Sequence, residues 1–238
     1  MTIKEETLII GNGEIGKALQ EVLSKVYSPV YIKDVEDFVT EGVAWLHICY
    51  PYSKDFVKNT QEYIKQYKPL FTIIHSTIPI GTIRKINPML DSIWHSPIRG
   101  IHPHIAQGIT TFAKYLGGDF NKKVMEYFTE TGIHMIYAGK PENTELGKIL
   151  DTTYYGWNII FCKEVAKICE KYETDFSMVY HSFNTTYNKG YAELGMPNVV
   201  RPILFADSGK IGGHCVINNC KLLKEKITKI ILKLNKKY

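Results

Sequence analysis

Residues 7–34, TLIIGNGEIGKALQEVLSKVYSPVYIKD, run in an order few folds can use: an apolar run, a glycine-rich turn, a helix-patterned segment, a second apolar run and an acid. Gly11, Gly13 and Gly16 are spaced G-x-G-x-x-G, with Asn12, Glu14 and Ile15 between them. In a strand–turn–helix the first glycine permits the tight turn and the second lets backbone approach a pyrophosphate. The third lets the helix pack against the strand. The start of the helix then offers unpaired N–H groups and a partial positive charge to phosphate. Residues 11–16 are therefore the candidate cofactor loop. Asp34 ends the second apolar run, where a carboxylate accepts both hydroxyls of a ribose and repels a 2′-phosphate. The expected cofactor is NAD rather than NADP, a preference that Lys33 beside it would soften. The competing interpretation is a glycine turn that holds no nucleotide.

Two further apolar runs, VAWLHICYPYS and FTIIHSTIPIGT, read as buried strands with helical intervals between them. Strands alternating with helices imply a parallel sheet with right-handed crossovers. Ligands of such sheets sit beyond the C-terminal strand ends, which makes Tyr50, Pro51 and Ser76 further cofactor candidates and Thr77 a catalytic one. The expected fold is α/β: a Rossmann-type doubly wound parallel sheet over residues 1–142, then a small, mainly helical domain over 143–238. That second domain opens with a long helix near 143–171, which carries Lys148.

The net charge of +5 is concentrated in the tail KLLKEKITKIILKLNKKY, with seven lysines against one glutamate and no arginine. Its apolar residues Leu223, Ile227, Ile230, Ile231 and Leu234 fall at helical spacing, so it reads as a closing amphipathic helix rather than a nucleic-acid or membrane surface. Five cysteines, an odd number without paired zinc-type spacing, suit a reducing compartment. The N-terminus lacks the pattern of a secretory signal. The expectation is a soluble, cytoplasmic protein with a small-molecule substrate, no nucleic-acid partner and no membrane.

Two segments carry candidate site histidines. In SPIRGIHPHIAQGI, His102 and His104 flank Pro103. They are candidates for substrate contact or acid–base work; no acid or cysteine accompanies them at metal-ligand spacing, so no metal site is expected. In DSGKIGGHCVINNCKLL, Gly212 and Gly213 lead into His214 and Cys215. The question there is whether Cys215 is a reactive thiol on a flexible loop or a packing residue. Cys220, five residues on, lies within sequence reach for oxidative pairing. Residues 185–205 read as an irregular loop in which Arg201 meets an anionic group.

Four pieces in order resemble the UDP-glucose/GDP-mannose dehydrogenases, which oxidise a nucleotide sugar to its uronic acid. These are GNGEIG with Asp34, STIPIGT at 76–82, TELGK opening the long helix, and GKIGGHC at 209–215. The resemblance implies an NAD-dependent dehydrogenase with Cys215 as nucleophile in the loop 207–220. Lys148 would stabilise an oxyanion and shuttle a proton, and Thr77 would position water. Thr152, Gly212, Gly213, His214 and Asn219 join His102 and His104 as substrate-side candidates. It also implies a homodimer through the helix near 143–171. The chain departs from the family at Ile98, where a glutamate is usual, at Thr152 (asparagine) and at Asn219 (aspartate). It ends soon after the cysteine loop, where the family continues into a third, nucleotide-binding domain, so the expectation is a short form. The β-hydroxyacid and 6-phosphogluconate dehydrogenases share the first domain and the helix lysine. The alternatives are a member that binds the dinucleotide without turnover, or a prephenate-dehydrogenase-like enzyme using His102.

Overall fold

The computed structural model describes residues 6–34, 42–100, 102–213 and 215–238. The chain forms two compact units, one up to Lys148 and one from Ile149 to Tyr238. The first holds a five-stranded, wholly parallel sheet of β1 (Thr7–Ile10), β2 (Val30–Lys33), β3 (Trp45–Ile48), β4 (Phe71–Ile74) and β5 (Ile93–His95), in the order β2-β1-β3-β4-β5. Its helices are α1 (Glu14–Leu23), α2 (Phe56–Tyr67), α3 (Thr82–Ile86), α4 (Ile105–Thr111) and α5 (Lys122–Thr129). A separate parallel pair joins β6 (Lys114–Leu116) to β7 (Met135–Tyr137).

The sheet is doubly wound because its strands are apolar on both faces. Successive side chains of a strand point to opposite sides. Ile9, Trp45 and Ile73 enter the core formed with Leu19, Val22 and Leu23 of α1, Ile105 and Ile109 of α4, and Phe128 of α5. Their neighbours Leu8, Ile10, Leu46, Ile48 and Ile74 enter the opposite core, with Phe56 and Tyr67 of α2 and Ile83 and Ile86 of α3. A stack of Tyr27, Tyr127, Trp45 and Phe71, with ring centroids 3.8–4.4 Å apart, fills the first core. The strand order reverses between β1 and β3, and a crevice at such a switch point is where open α/β sheets bind ligands.

The long helix α6 runs Pro141–Lys171, starting on a proline whose missing N–H would have had no partner in the first turn. Its first two turns belong to the first unit and the remainder to the second. The rest of the second unit is a π-helical segment Ser177–Ser182 leading into α7 (Phe183–Glu193), then α8 (Cys215–Leu222) and α9 (Lys226–Asn235). Its core is Ile160, Ile211, Val216, Cys220 and Ile231. Gly156 makes this packing possible: a Cβ there would stand 2.5 Å from a methyl of Val216. The lysine-rich tail is the amphipathic helix expected, with Ile231 at 0% exposure and Lys226, Lys229 and Lys233 outside. The loop expected at 185–205 is helical up to Glu193 and irregular only beyond it. Polar residues every few positions hid that helix, which buries no side chain of its own. Among the described residues no helix is long and apolar enough to cross a membrane.

Candidate functional site

The six-residue loop after β1 is built as its glycines require. Gly11 has φ +113°, and a Cβ on it would stand 2.9 Å from the backbone nitrogen of Tyr50. The carbonyl of Gly11 lies 1.9 Å from where a Cβ on Gly16 would be. These two positions are closed by the protein's own backbone, and they press the loop against the end of β3 at the switch point. Gly13 differs: a Cβ there would meet nothing within 4 Å. It is the N-cap of α1 and brings no side-chain cap to the helix's first backbone N–H groups. Asp34 is exposed at the end of β2, and Gly11 N–H donates to the carbonyl of Lys33 at 2.8 Å. A loop closed against the sheet, an open Gly13 and a carboxylate one strand away fit a dinucleotide. Beside Asp34, Lys33 is buried and its amine donates to Tyr67 Oη at 3.3 Å.

The other cofactor candidates gather at the same strand ends. Ser76 Oγ donates to the carbonyl of Tyr50 at 2.5 Å. The phenol of Tyr50 donates to Thr60 Oγ1 at 2.6 Å, which itself donates to Phe56 O, and burial pushes the phenol up to about 12. Pro51 is exposed and Thr77 half-buried. His102 joins this group: its Nδ1 lies 2.6 Å from a carboxylate oxygen of Glu14, at the first residue of α1. His104 is exposed at the residue preceding α4. Among the described residues no cluster of three His, Cys, Asp or Glu side chains is arranged to hold a metal.

Glu145 holds STIPIGT against the start of α6. Its carboxylate accepts from Gly81 N–H at 2.6 Å and Ile83 N–H at 2.9 Å. Burial raises its pKa against the opposing pull of those two donors. Arg84 and Glu142 add an ion pair between the same elements. Lys148, the last residue of the first unit, is half-buried on α6.

Sequence reasoning passed over a set of buried polar groups under these strand ends. His47 Nδ1 and His75 Nε2 are 2.9 Å apart, and His47 Nε2 lies 3.3 Å from Tyr127 Oη. Lys114 Nζ donates to Ser96 O at 2.5 Å and lies 3.1 Å from His75 Nδ1. Desolvation lowers the Lys114 ammonium to about 7 and His47 to about 3. His95, fully buried, is lowered to about 3 by the same cause. The signal in the sequence is a histidine interrupting each apolar run: WLHI, TIIH and IWH.

In the second unit Cys215 is the first residue of α8 and exposed, after the exposed Gly212 and Gly213, the latter at φ +74°. His214 lies outside the described residues. Cys162, Cys169 and Cys220 are buried, and in the first unit Cys49 is half-buried. The thiol of Cys220 packs by Thr153 Oγ1 at 3.9 Å, and burial raises it. Five residues along one helix put Cys215 and Cys220 about 140° apart, so the suspected pairing does not occur in this fold. Asn219 Nδ2 donates to Thr152 Oγ1 at 3.1 Å. A cavity of about 350 Å³ beside this loop is lined by Tyr155, Lys163, Phe205, Asp207, Lys210 and Gly212. Lys163 is spoken for, donating to the carbonyls of Asp207 and Gly209. The guanidinium of Arg201 stacks 3.2 Å from the ring centroid of Tyr187.

No family model matches the chain. The curated UDP-N-acetyl-D-mannosamine dehydrogenase of Methanococcus vannielii is 30% identical over 127 residues, which is 50% of this chain and 29% of that relative. The chain is similar to a nucleotide-sugar dehydrogenase over that stretch. It spans less than a third of the length of that curated relative. The solved UDP-D-ManNAc dehydrogenase of Pyrococcus horikoshii superposes with a TM-score of 0.78 at 17% identity, over 98% of this chain and 68% of its own. A 3-hydroxyisobutyrate dehydrogenase of Mycobacterium tuberculosis superposes with a TM-score of 0.75 at 14% identity, over 98% of this chain and 93% of its own. At those identities the two structures establish a Rossmann-type fold for this chain.

Proposed function

We propose that the protein is an NAD-dependent oxidoreductase acting on the alcohol of a sugar-like or hydroxy-acid substrate. The observation that carries this is the loop 11–16, closed at Gly11 and Gly16 and open at Gly13, with Asp34 at the next strand end. The dinucleotide supplies the hydride acceptor. Gly13 and the start of α1 receive its diphosphate, and Asp34 receives a ribose whose 2′-hydroxyl is unphosphorylated. As the hydride leaves the alcohol carbon, the hydroxyl proton must go to a base; the family resemblance assigns this to Lys148. Thr77, at the end of β4, is suited to holding a water.

One hydride per substrate is the favoured stoichiometry. Ile98 stands where the family has a glutamate for thioester hydrolysis, and it is packed in the apolar core at 6% exposure. A second stoichiometry is favoured by the exposure of Cys215. Its thiolate would add to the first-formed aldehyde. A second hydride would then leave the thiohemiacetal carbon, and water would release the acid and regenerate the thiol.

We also infer a homodimer through the second unit, since α6 leaves Tyr154, Tyr155, Phe161 and Ile168 more than half exposed. The test of function is NADH formed per substrate across a panel of nucleotide sugars and simple hydroxy acids, with wild type and Cys215→Ala side by side. One NADH, surviving the substitution, supports the two-electron reaction. Two NADH, lost with the thiol, support the cysteine route. A protein that binds NAD and turns over nothing on the panel contradicts the enzyme assignment and favours a binding protein.

A further inference from the structure

We propose that His95 is a positioning residue for the cofactor site: it orients the Ser76–Thr77 peptide toward the dinucleotide without touching it. The inference rests on the NAD site proposed above. Four elements of the first unit meet at this imidazole. Thr144 Oγ1, in the first turn of α6, is 2.8 Å from His95 Nδ1. His95 Nε2, at the end of β5, is 3.1 Å from the carbonyl of Ser76 just past β4. Ser76 Oγ donates to the carbonyl of Tyr50 just past β3.

The direction of this chain of bonds is determined by its carbonyls. Ser76 O can only accept, so Nε2 carries a hydrogen. Burial keeps the ring neutral, which leaves Nδ1 as an acceptor facing the Thr144 hydroxyl, whose single hydrogen is shared with the carbonyl of Pro141 at 2.9 Å. From His95 onward the donors point one way, to Ser76 and on to Tyr50. The end of the chain is two peptide carbonyls at the sheet's ligand-binding edge.

A trans peptide is planar, with C=O and N–H pointing in opposite directions. Pinning Ser76 O onto His95 therefore directs the Thr77 N–H away from the buried ring. Pinning Tyr50 O onto Ser76 fixes the peptide that leads into Pro51, beside the closed face of Gly11. A hydrophobe in place of His95 leaves the Ser76 carbonyl buried without its donor, and the peptide rotates to find another.

The test uses the full chain and NAD, with dissociation constants from calorimetry and melting temperatures measured together. In His95→Gln the side-chain amide nitrogen falls where Nε2 was and still donates to Ser76; binding within about threefold of wild type is expected. In His95→Leu the donor is gone, and binding about tenfold weaker is expected, the scale of one hydrogen bond. Thr144→Val removes the donor to Nδ1 and lets the ring change tautomer, with a loss between those two. A role confined to stability would lower the melting temperature of the Leu and Gln variants while leaving both affinities unchanged, and that result overturns the proposal. If His95→Leu fails to fold, an unchanged affinity in Thr144→Val overturns it equally. Wild type that is folded yet binds no NAD refutes the cofactor site itself and the inference with it.

Discussion

Asn219 donates to Thr152 Oγ1 at 3.1 Å, and these are two of the positions at which the chain departs from the family pattern it resembles. There the resemblance assigns an aspartate and an asparagine; here an amide and a hydroxyl make the contact instead. Thr152 Oγ1 passes its own proton to Ile149 O at 2.9 Å, so the hydroxyl accepts and donates at once. The polar pairing survives while the negative charge is gone. That change removes a carboxylate from the helix that begins with Cys215.

Thr152→Val is expected to cost about 1–3 kcal/mol, because the buried amide of Asn219 loses its acceptor. Replacing both residues, Thr152→Val with Asn219→Leu, should cost less than the two single changes added together. Urea denaturation of the four proteins measures the coupling; strictly additive costs would mean the bond contributes nothing.

Gly16→Ala is expected to destabilise the protein by about 3 kcal/mol, the upper end of overpacking costs, since the new Cβ would lie on the carbonyl of Gly11. Chemical denaturation reads it directly. A change under about 0.5 kcal/mol, the usual size for a neutral surface substitution, would show that the loop is not closed as described.

The buried basic cluster makes stability rise with pH. Lys114 titrates near 7 in the fold against an ordinary 10.5. The unfolded chain therefore holds the extra proton between those values, and stability falls as pH drops from about 10 to 7. His47 and His95 titrate near 3 in the fold against 6.5, so a second loss runs from pH 6.5 downward. Melting temperatures from pH 5 to 9 should climb steadily. Lys114→Met should flatten the climb above pH 7 and leave the acid limb in place. A melting temperature independent of pH would contradict the desolvation of this buried cluster.

One thiol should stand apart. Cys215 is exposed, while Cys162, Cys169 and Cys220 are buried and Cys49 is half-buried with its thiol pushed up by desolvation. Native protein treated with a disulfide reagent should release one equivalent quickly and the rest only on unfolding, and Cys215→Ala should abolish the fast phase. A fast phase that persists in the variant would assign it to another cysteine.

The glycine loop was legible because backbone geometry dictates residue type there: Gly11 and Gly16 have no room for a side chain. Strands β1 to β4 and α6 were legible from runs of apolar residues long enough to leave little choice, whereas β5, β6 and β7, three residues each, were too short to show one. The role of Glu145 was not legible, since a carboxylate reaching across more than sixty residues to Gly81 and Ile83 leaves no local pattern. The same holds for His47, His75 and His95, whose partners come from neighbouring strands and from Lys114. The helical course of 183–193 was missed for the opposite reason: with no buried side chain it shows no apolar period. The stacking of Arg201 on Tyr187, fourteen residues earlier, likewise leaves no local pattern.

Gly13 separates a dinucleotide loop from a mere turn. A Cβ on Gly13 has open space around it, and the extended backbone there, φ −79° and ψ −172°, suits valine. The measurement is calorimetric titration of NAD into wild type and Gly13→Val, with melting temperatures alongside. The expected result is binding by wild type, none detectable in Gly13→Val, and melting temperatures that coincide. Equal affinity in the two proteins, or no binding by a well-folded wild type, would contradict the proposed cofactor site.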